Sequence, residues 1–505
     1  MTVFDVKTRL QRSAWAVSIV AAASLLGCAS QADLQTQAEP IAAEKLGLAA
    51  SQPEALRAED AWWHTLGDAQ LNQLVEKALA GSPSMQAVQA RLQRTQAGLV
   101  SAGAASSPQI QAVAEANRQR FSEDGFLPKP AAGATLNSGT LQLEGTWEAD
   151  LFGRHRAEFQ AAVGQHKAAQ ADVQAARVWL STQVVRSYVQ LARLQAQREV
   201  AARTLAQRDE LLRLVRQRVQ AGLDTLVELK QGEGALPDAR QQIEAIDEQI
   251  MSTRHALAAL SAQPMEAVAR LQPYWPQLTA QALPAQVPMN LLGQRADVMA
   301  LRWRAEAAGA QSDAARTLFY PNLNINAYIG LNAIGLQRLF DPGTEQWGLM
   351  PAIDLPLFDG DRRRVRLQTQ LADQDLAIAN YNQSVIDAVR EVADQLGSAQ
   401  SIERQQREQA QAQQAMEAAY DVAMQRYKAG LGPYLTVLSA EGAVLQQRRL
   451  GVDLKARALD TRVGLAKALG GHWPDAASTA QPSPMTAPVS ASASALATAA
   501  PTASN

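Results

Sequence analysis

The sequence has little of what most domains use to build one thick core. Its 505 residues include a single cysteine, Cys28, and only 5% aromatic residues. A lone cysteine excludes an internal disulfide and a thiolate zinc cluster. Basic and acidic residues nearly balance, at a formal charge of −2, so bulk electrostatics gives no support for a nucleic-acid partner. Few aromatics with many alanines and glutamines favour long helices with narrow apolar seams.

Signatures of catalysis are also lacking. The five histidines are scattered along the chain, and no pair has the spacing of an HExxH zinc site. The sequence has neither a GxxxxGK[ST] phosphate loop nor a GxSxG nucleophile elbow. We therefore expect a protein that is not an enzyme and that holds no metal and no cofactor other than a covalent lipid.

The N-terminus has the organisation of a secretion signal. Basic residues precede the apolar segment 14–26, which is too short to span a bilayer because a membrane helix needs about 20 residues. The segment ends at Leu25-Leu26-Gly27-Cys28, which resembles a bacterial lipobox, although Leu26 stands where a small residue is usual. We predict a lipid on Cys28. The alternative is a buried spare thiol within an uncleaved segment.

A hexad that occurs twice shows an internal duplication. The copies are Arg218-Val-Gln-Ala-Gly-Leu223 and Arg426-Tyr-Lys-Ala-Gly-Leu431. A glycine directly after a helical run is where a helix ends, because it takes a left-handed conformation without a Cβ clash. Both hexads are therefore predicted to be tips at which one long helix ends and another turns back. Further motif pairs upstream repeat at offsets of roughly 206 to 213 residues, which indicates one unit used twice.

The duplication and the composition divide the chain into six segments. From about residue 476 onward the chain has no charged residue and too little apolar bulk to offset the entropy of ordering. The predicted segments are a signal peptide at 1–27, a lipidated arm at 28–60, a first repeat at 61–265, a linker at 266–289, a second repeat at 290–473, and a disordered Ala/Ser/Pro/Thr tail at 474–505.

Four segments alternate between apolar and polar residues, as strands with two different faces do. They are 109–117, 140–151, 322–329 and 346–357, the last interrupted by Pro351 and Pro356. Carboxylates and amides on the polar face are typical of the lumen of a membrane β-barrel; the alternative is a small soluble sheet. Four strands cannot close a barrel, and an open edge in lipid is costly. A membrane barrel therefore needs two copies for eight strands or three for twelve, and excludes a monomer.

Long helices are predicted at 155–221 and 361–429, with return helices at 225–261 and 433–469. Each of the first two has roughly 65 residues, or about 100 Å of helix, a length that suits paired coiled-coil helices. One stripe with seven-residue spacing on the second long helix changes from apolar to amide to phenolic towards the tip. Either its polar members face solvent, or the stripe lines a water-filled tube. Its members are Leu371, Ile378, Val385, Val392, Ala399, Gln406, Gln413, Tyr420 and Tyr427.

Taken together, these motifs resemble the TolC-like outer-membrane factor family, in its lipoprotein (NodT-type) branch. The resemblance covers roughly residues 60 to 473. It rests on the lipobox, the two Ala-Gly-Leu tips and three further motifs. These are Trp147-Glu-Ala-Asp-Leu-Phe-Gly153, Asp354-Leu-Pro-Leu-Phe-Asp-Gly360 and Lys467-Ala-Leu-Gly-Gly-His-Trp473.

The resemblance implies an α/β membrane protein that is mainly α, built as a homotrimer. Each copy would give its long helices to a periplasmic coiled-coil barrel and four strands to a shared 12-stranded transmembrane β-barrel. The family implies the outer membrane as location, and a periplasmic adaptor and an inner-membrane RND-type transporter as partners. The function implied is a passive exit duct of a tripartite efflux pump for small molecules. Alternatives are a duct for type I peptide or protein secretion and a coiled-coil envelope scaffold without a pore.

The resemblance also implies roles for the tips. The turns expected to contact the adaptor are Gly222, Leu223, Gly430 and Leu431. The candidates for a closed periplasmic gate are Tyr420, Asp421, Arg426 and Tyr427. Charge-assisted pairs among such groups could hold a tip shut and be displaced by a partner; the alternative is exposed tip charges without a role. Asp421 and Arg426 are five residues apart, which favours a contact between helices over one within a helix.

Overall fold

The structure is a computed structural model that describes residues 33–41, 61–125, 128–278 and 295–471. The predicted signal peptide, Cys28 and the predicted tail at 474–505 lie outside these ranges. Among the described helices, none combines the length and the apolar character that crossing a bilayer requires.

The described chain contains the same series of elements twice: a helix, two strands, a very long helix and a return helix. The first series is preceded by a short helix, and a one-turn helix follows it. The helices are α1 Ala69–Gly81, α2 Pro83–Ala104, α3 Arg154–Gln220, α4 Leu226–Ser261, α5 Met265–Ala269, α6 Ala296–Thr317, α7 Arg362–Lys428 and α8 Tyr434–Ala468. The strands are β1 Gln109–Arg120, β2 Thr135–Ala149, β3 Asn322–Ile334 and β4 Glu345–Asp354.

The predicted long helices and return helices are confirmed, and each end agrees to within one residue. All four predicted strands are confirmed, but they begin or end at other residues than predicted. β2 begins at Thr135 rather than at 140, since the polar stretch before Gly139 hid the alternation. β4 ends at Asp354 rather than at 357, and it runs through Pro351. Proline is tolerated there because β4 is an edge strand of the sheet.

The four strands form one antiparallel sheet in the order β1-β2-β3-β4. The register places the predicted apolar residues opposite one another, as in the pairs Leu143↔Ile329 and Ile329↔Trp347. This face is not covered by the rest of the described chain. Its largest exposed members are Ile110, Leu141, Leu143, Trp147, Ile329, Trp347, Leu349 and Ile353.

The polar face of the sheet is a network of amides and carboxylates. Gln111 and Gln142 each donate to the carboxylate of Glu144, at 2.9 and 2.6 Å. Gln346 of β4 donates to Gln142 at 2.7 Å, which ties three strands together across this face. Because the chain supplies only four strands, β1 and β4 each have one edge without a strand partner among the described residues.

The largest apolar core surrounds the middle of α3. Tyr188, Leu191 and Leu194 are fully buried there. The hydroxyl of Tyr188 donates to Asp68 Oδ2 at 2.7 Å. The other oxygen of Asp68 accepts from the backbone N–H of Gln70 at 2.8 Å and so caps α1. One carboxylate therefore both starts a helix and satisfies the only polar atom of a buried tyrosine side chain.

Both interpretations of the seven-residue stripe on α7, as a solvent-facing seam or as the wall of a water-filled tube, stay predictions, and the structure adds contacts of its amides within the chain. Leu371 lies in an apolar cluster with Ala315 of α6, Val392 lies in one with Leu465 of α8, and the glutamines of the stripe are half-buried. Gln406 donates to the backbone oxygen of Leu454 at 3.4 Å, and the adjacent Gln409 donates to that of Gln447 at 2.8 Å. These two glutamines thus bind the return helix, since a long polar side chain can reach its backbone carbonyls.

Residues 33–41 lie along α7 and are held by its side chains. Asp375 Oδ1 accepts from the backbone N–H groups of Gln37 and Ala38, both at 3.0 Å. Asn382 binds the same segment through both ends of its amide, accepting from the N–H of Ile41 at 2.8 Å and donating to the oxygen of Glu39 at 2.9 Å. This segment is therefore bound through its backbone, and side chains add to this, since Asp33 forms an ion pair with Arg364 of α7.

Close packing of α3 on α6 depends on Gly164. A Cβ at this position would lie 2.8 Å from Ala307 Cβ and 3.1 Å from the backbone oxygen of Trp303. We expect Gly164→Ala to lower the free energy of unfolding by about 1–3 kcal/mol, because the added methyl overpacks the contact. Thermal unfolding followed by circular dichroism measures this. Gly234→Ala is the control, since no atom lies within 4 Å of its Cβ position.

Gly234→Ala should raise the free energy of unfolding by about 0.5–1 kcal/mol, because alanine has a higher helix propensity than glycine at an exposed position inside a helix. Equal effects of the two substitutions would contradict the packing described for Gly164.

Candidate functional site at the helix tips

The first tip, residues 221–225, closes α3 with a Schellman motif. Gly222 takes the left-handed conformation, with φ +73°. The N–H of Leu223 donates to Arg218 O at 2.8 Å, and that of Gly222 to Val219 O at 3.0 Å. These bonds satisfy carbonyls that the end of the helix would leave unpaired. Thr225 then starts α4 with a capping box that includes Glu228.

The second tip, residues 429–433, has the same backbone geometry. Gly430 has φ +74°. The N–H of Leu431 donates to Arg426 O at 2.8 Å, and that of Gly430 to Tyr427 O at 3.0 Å. The prediction that both hexads are glycine-terminated turns is confirmed, and the duplication is preserved down to individual hydrogen bonds.

Both tips expose a leucine at their outermost point. In this motif the residue after the glycine commonly packs back onto the last turn of the helix. Here Leu223 is 65% exposed and Leu431 is 70% exposed. The two apolar side chains therefore project from the end of the molecule farthest from the sheet, each on a rigid turn.

Asp224 joins the two tips. Arg218 binds its carboxylate with two hydrogen bonds, from Nε at 3.0 Å and from Nη2 at 3.3 Å. The hydroxyl of Tyr427, which comes from the other hairpin, donates to Asp224 Oδ2 at 2.5 Å. The Arg218 guanidinium also lies 4.7 Å from the centre of the Tyr427 ring. Three side chains from two hairpins thus form one closed cluster, which we call the tip cluster.

Apolar packing fixes the geometry of the tip cluster. Tyr427 is fully buried. Its ring packs with Leu211 and Val215 of α3 and with Tyr434 and Val437 of α8. Burial therefore supports a hydrogen bond between residues that are 203 positions apart in the chain.

The pKa values of the acidic groups in the tip cluster are shifted in directions that favour the ion pair. Burial by itself raises the pKa of Asp224, but hydrogen bonds from Arg218 and Tyr427 outweigh it and hold this pKa below the ordinary value of 3.8. Burial first, and then the bond to Asp224, raise the pKa of Tyr427. The cluster is therefore a carboxylate, a guanidinium and a neutral phenol near neutral pH.

The predicted gate residues take different positions in the structure. Tyr427 belongs to the tip cluster, whereas Tyr420 is half-buried two turns higher on α7, beside Glu441. Asp421 is exposed and forms no ion pair with any described residue. Arg426 is exposed, and its Nη2 donates to Leu431 O at 3.3 Å. Asp421 and Arg426 are not paired within the described chain, so the proposed contact between helices stays a prediction.

Sequence reasoning did not single out Asp224, which the structure places at the centre of the tip cluster. The duplication carried a signal, because the second tip has Gly432 at the position equivalent to Asp224. Arg218 and Arg426 are likewise equivalent, but only Arg218 has a carboxylate six residues later. The acid at one tip and the tyrosine at the other complement each other, which a search within each hexad could not show.

A buried ion pair lies above the tip cluster. Arg208 of α3 donates to Glu441 of α8 at 3.0 Å and to Asp238 of α4 at 3.2 Å. Its Nη1 also donates to the backbone oxygen of Ala235 at 3.0 Å, close to the helix-interior Pro237. Burial raises the pKa of Glu441, and Arg208 opposes this shift. The guanidinium thus links three helices just above the point where the tips meet.

Nothing in the described ranges suggests a metal centre, since these residues contain no group of three or more His, Cys, Asp or Glu side chains arranged to hold an ion.

Comparison with known proteins finds one family along nearly all of the described chain. The model of the outer membrane efflux protein family matches residues 74–263 and 287–471. The multidrug resistance outer membrane protein MdtP of Escherichia coli K12 is 32% identical over 420 residues, which cover 81% of this chain and 86% of that protein.

Solved structures of outer-membrane proteins have the same fold. The outer membrane protein VceC of Vibrio cholerae is 36% identical with a TM-score of 0.78, covering 82% of this chain and 99% of VceC. The outer-membrane channel OprN is 25% identical, also with a TM-score of 0.78, covering 88% of this chain and 98% of OprN.

Tyr427→Phe removes one hydrogen bond from Asp224 and keeps the buried ring. Loss of a bond to a charged group costs about 1.5–3 kcal/mol, so we expect amides of the first tip to exchange with deuterium at least roughly tenfold faster. Hydrogen–deuterium exchange read by mass spectrometry tests this. Tyr434→Phe is the control, because this tyrosine lies in the same apolar cluster and its hydroxyl has no hydrogen-bond partner among the described residues. Unchanged exchange in Tyr427→Phe would show that the bond does not hold the tips.

The shifted pKa of Asp224 predicts a pH dependence. A carboxylate whose folded-state pKa is lowered stabilises the fold above its ordinary pKa of 3.8, and this stabilisation is lost as the pH falls through the folded-state value. We expect Asp224→Asn to have a lower melting temperature than the wild type at pH 5–7. Below about pH 4 the two melting temperatures should converge. Glu248→Gln, which removes an exposed carboxylate of α4 that has no ion pair among the described residues, should match the wild type throughout. A melting-temperature difference for Asp224→Asn that does not change with pH would contradict the ion pair.

Proposed function

The chain belongs to the outer membrane efflux protein family, and from this premise we propose that it is the exit duct of a tripartite pump for small drugs or toxic compounds. As an outer-membrane efflux channel it releases what a transporter and an adaptor deliver. The single observation that carries the proposal is a sheet with an uncovered apolar face and two open edges, set on helices about 100 Å long. The name of MdtP, a multidrug resistance protein, favours small molecules over peptides as cargo.

The working unit in this proposal is a homotrimer. An open sheet edge in lipid leaves backbone N–H and C=O groups unpaired at a cost of several kcal/mol each. Joining the β4 edge of one copy to the β1 edge of the next removes every such edge. Three copies then give a 12-stranded barrel, with the network around Gln142 and Glu144 on the lumen side and the apolar face towards lipid.

The two tips are the proposed contacts for a periplasmic adaptor, which connects the duct to an inner-membrane RND-type transporter. Gly222 and Gly430 give each turn its shape, and Leu223 and Leu431 are exposed apolar anchors on rigid backbone. Such anchors suit docking because little conformational entropy is lost on binding. The repeat gives each copy two tips of equal geometry, so a trimer offers six.

The tip cluster is the proposed element that keeps the periplasmic end closed. Bonds of Asp224 to Arg218 and Tyr427 hold the two hairpins of one copy together. Tyr420, Asp421 and Arg426 are proposed to act between copies, since the side chains of Asp421 and Arg426 are exposed and unpaired by acidic or basic groups of the described chain. An adaptor that binds the tips could separate these contacts without unfolding a helix.

A lipid on Cys28 is the proposed anchor, and it is supported by the lipobox and by the way the following residues are held. Asp33, five residues after Cys28, forms an ion pair with Arg364 at 2.9 Å. Arg364 belongs to the first turn of α7, directly below the sheet. Asp33 thus lies at the level where the sheet meets the helices, which is where an anchor in the inner leaflet of the outer membrane would lie.

Planar-bilayer recordings and a drug-susceptibility assay test the function. The wild type should form ion-conducting pores and restore drug resistance to a strain that lacks its own channel. Leu223→Asp with Leu431→Asp should keep the pores and lose most of the resistance, because only docking is impaired. Met251→Asp, an exposed site on α4 far from the tips, is the control. A protein that forms no pores in any lipid would leave only the scaffold alternative.

A further inference from the structure

The outward face of β2 changes from apolar to polar at a definite height. From Ala149 to Gly139 this face carries Trp147, Leu143 and Leu141, all exposed and apolar. This span is about 34 Å of strand at 3.4 Å per residue, or about 26 Å along the membrane normal at a tilt near 40°. It matches the apolar band of a transmembrane barrel, which is about 25 Å tall. The face beyond Gly139 therefore lies in the headgroup region on the outer side.

Four polar side chains lie together just beyond this band. The register pairs Arg118 with Asn137 and Arg120 with Thr135. Directly opposite residues share a face of the sheet, so all four continue the face that carries Leu141. All are exposed. We call Arg118, Arg120, Thr135 and Asn137 the rim row; it presents two guanidinium groups, an amide and a hydroxyl.

The cations of the rim row have almost no counter-charge within the described chain. Arg118 forms no ion pair there. Arg120 has one carboxylate partner, Glu123, at 3.8 Å with both side chains about three-quarters exposed, an arrangement worth little. Glu345 lies at the start of β4, which forms the edge of the sheet opposite β1. Its carboxylate accepts from the N–H of Gly343 at 2.9 Å.

We propose that the rim row binds the phosphate groups of glycolipid in the outer leaflet of the outer membrane. Guanidinium groups bind phosphate with two parallel hydrogen bonds, and the amide and hydroxyl supply further donors at the same height. Arginines just above the apolar band lie at the height of the lipid headgroups. Phosphate is the anionic group of those headgroups that a guanidinium binds. The rival occupant is Glu345 of a neighbouring copy, which would bring one carboxylate to two guanidinium groups.

Lipid retention by the assembled channel tests the proposal. The probes are bisphosphorylated lipid A, its dephosphorylated form and phosphatidylglycerol, each measured on the purified full-length protein by native mass spectrometry. We expect Arg118→Gln with Arg120→Gln to lower retention of phosphorylated lipid A about tenfold. Retention of the dephosphorylated form should not change. Arg91→Gln with Arg94→Gln is the control, since it removes two exposed charges from α2.

Three outcomes overturn the proposal. One is equal retention of phosphorylated lipid A by the rim variant and the α2 control. Another is equal retention of phosphatidylglycerol and phosphorylated lipid A by the wild type, which would mean anionic lipid without a glycolipid preference. The third is a matching loss of heat-stable oligomer in the rim variant and in Glu345→Gln, which would assign the arginines to an ion pair between copies. If both variants keep a heat-stable oligomer and only the rim variant loses phosphorylated lipid A, the result supports lipid binding by the rim row.

Discussion

A backbone group in lipid has no water to bind, and this constraint determines how the rest of the molecule is arranged. Each chain contributes a sheet of four strands, whose apolar face needs lipid and whose two edges need other strands. Copies of the same chain offer such edges, because β4 of one copy can pair with β1 of the next. The long helices are arranged around the same axis as the strands, because α3 follows β2 and α7 follows β4 directly in the chain. Assembly is thus a condition for the membrane-inserted fold, and the seams within one chain, such as that between α7 and α8, are only part of the final packing.

Much of the fold follows from local signals in the sequence. Helix ends were predictable because Gly222 and Gly430 mark them with a requirement for positive φ that other residues meet poorly. Strands were predictable where alternation was strict, and the start of β2 was not, because polar residues near Gly139 lie on both faces outside the apolar band. For the stripe on α7, spacing shows which residues share a face but not what that face meets. Glutamines in such a stripe can bind a neighbouring helix as readily as they can face water.

The tip cluster shows the limit of reasoning from repeats. Both tips have the same hydrogen-bonded turn, so the sequence predicted two equivalent sites. The structure uses the differences between the copies instead: an aspartate at one tip, Asp224, and a tyrosine at the other, Tyr427. Duplication first gives identical backbones, and substitution at equivalent positions then makes the two hairpins complementary. Contacts of this kind connect distant parts of the chain, and no pattern within either copy reports them.

The equal lengths of α3 and α7, 67 residues each, give the tips a mechanical property. A helix of this length is a lever of about 100 Å, so a rotation of about 3° at the sheet end moves the other end by about 5 Å. That displacement exceeds the tolerance of any hydrogen bond between a phenol and a carboxylate. A small difference in tilt between α3 and α7 is therefore sufficient to separate Tyr427 from Asp224, and neither helix has to bend.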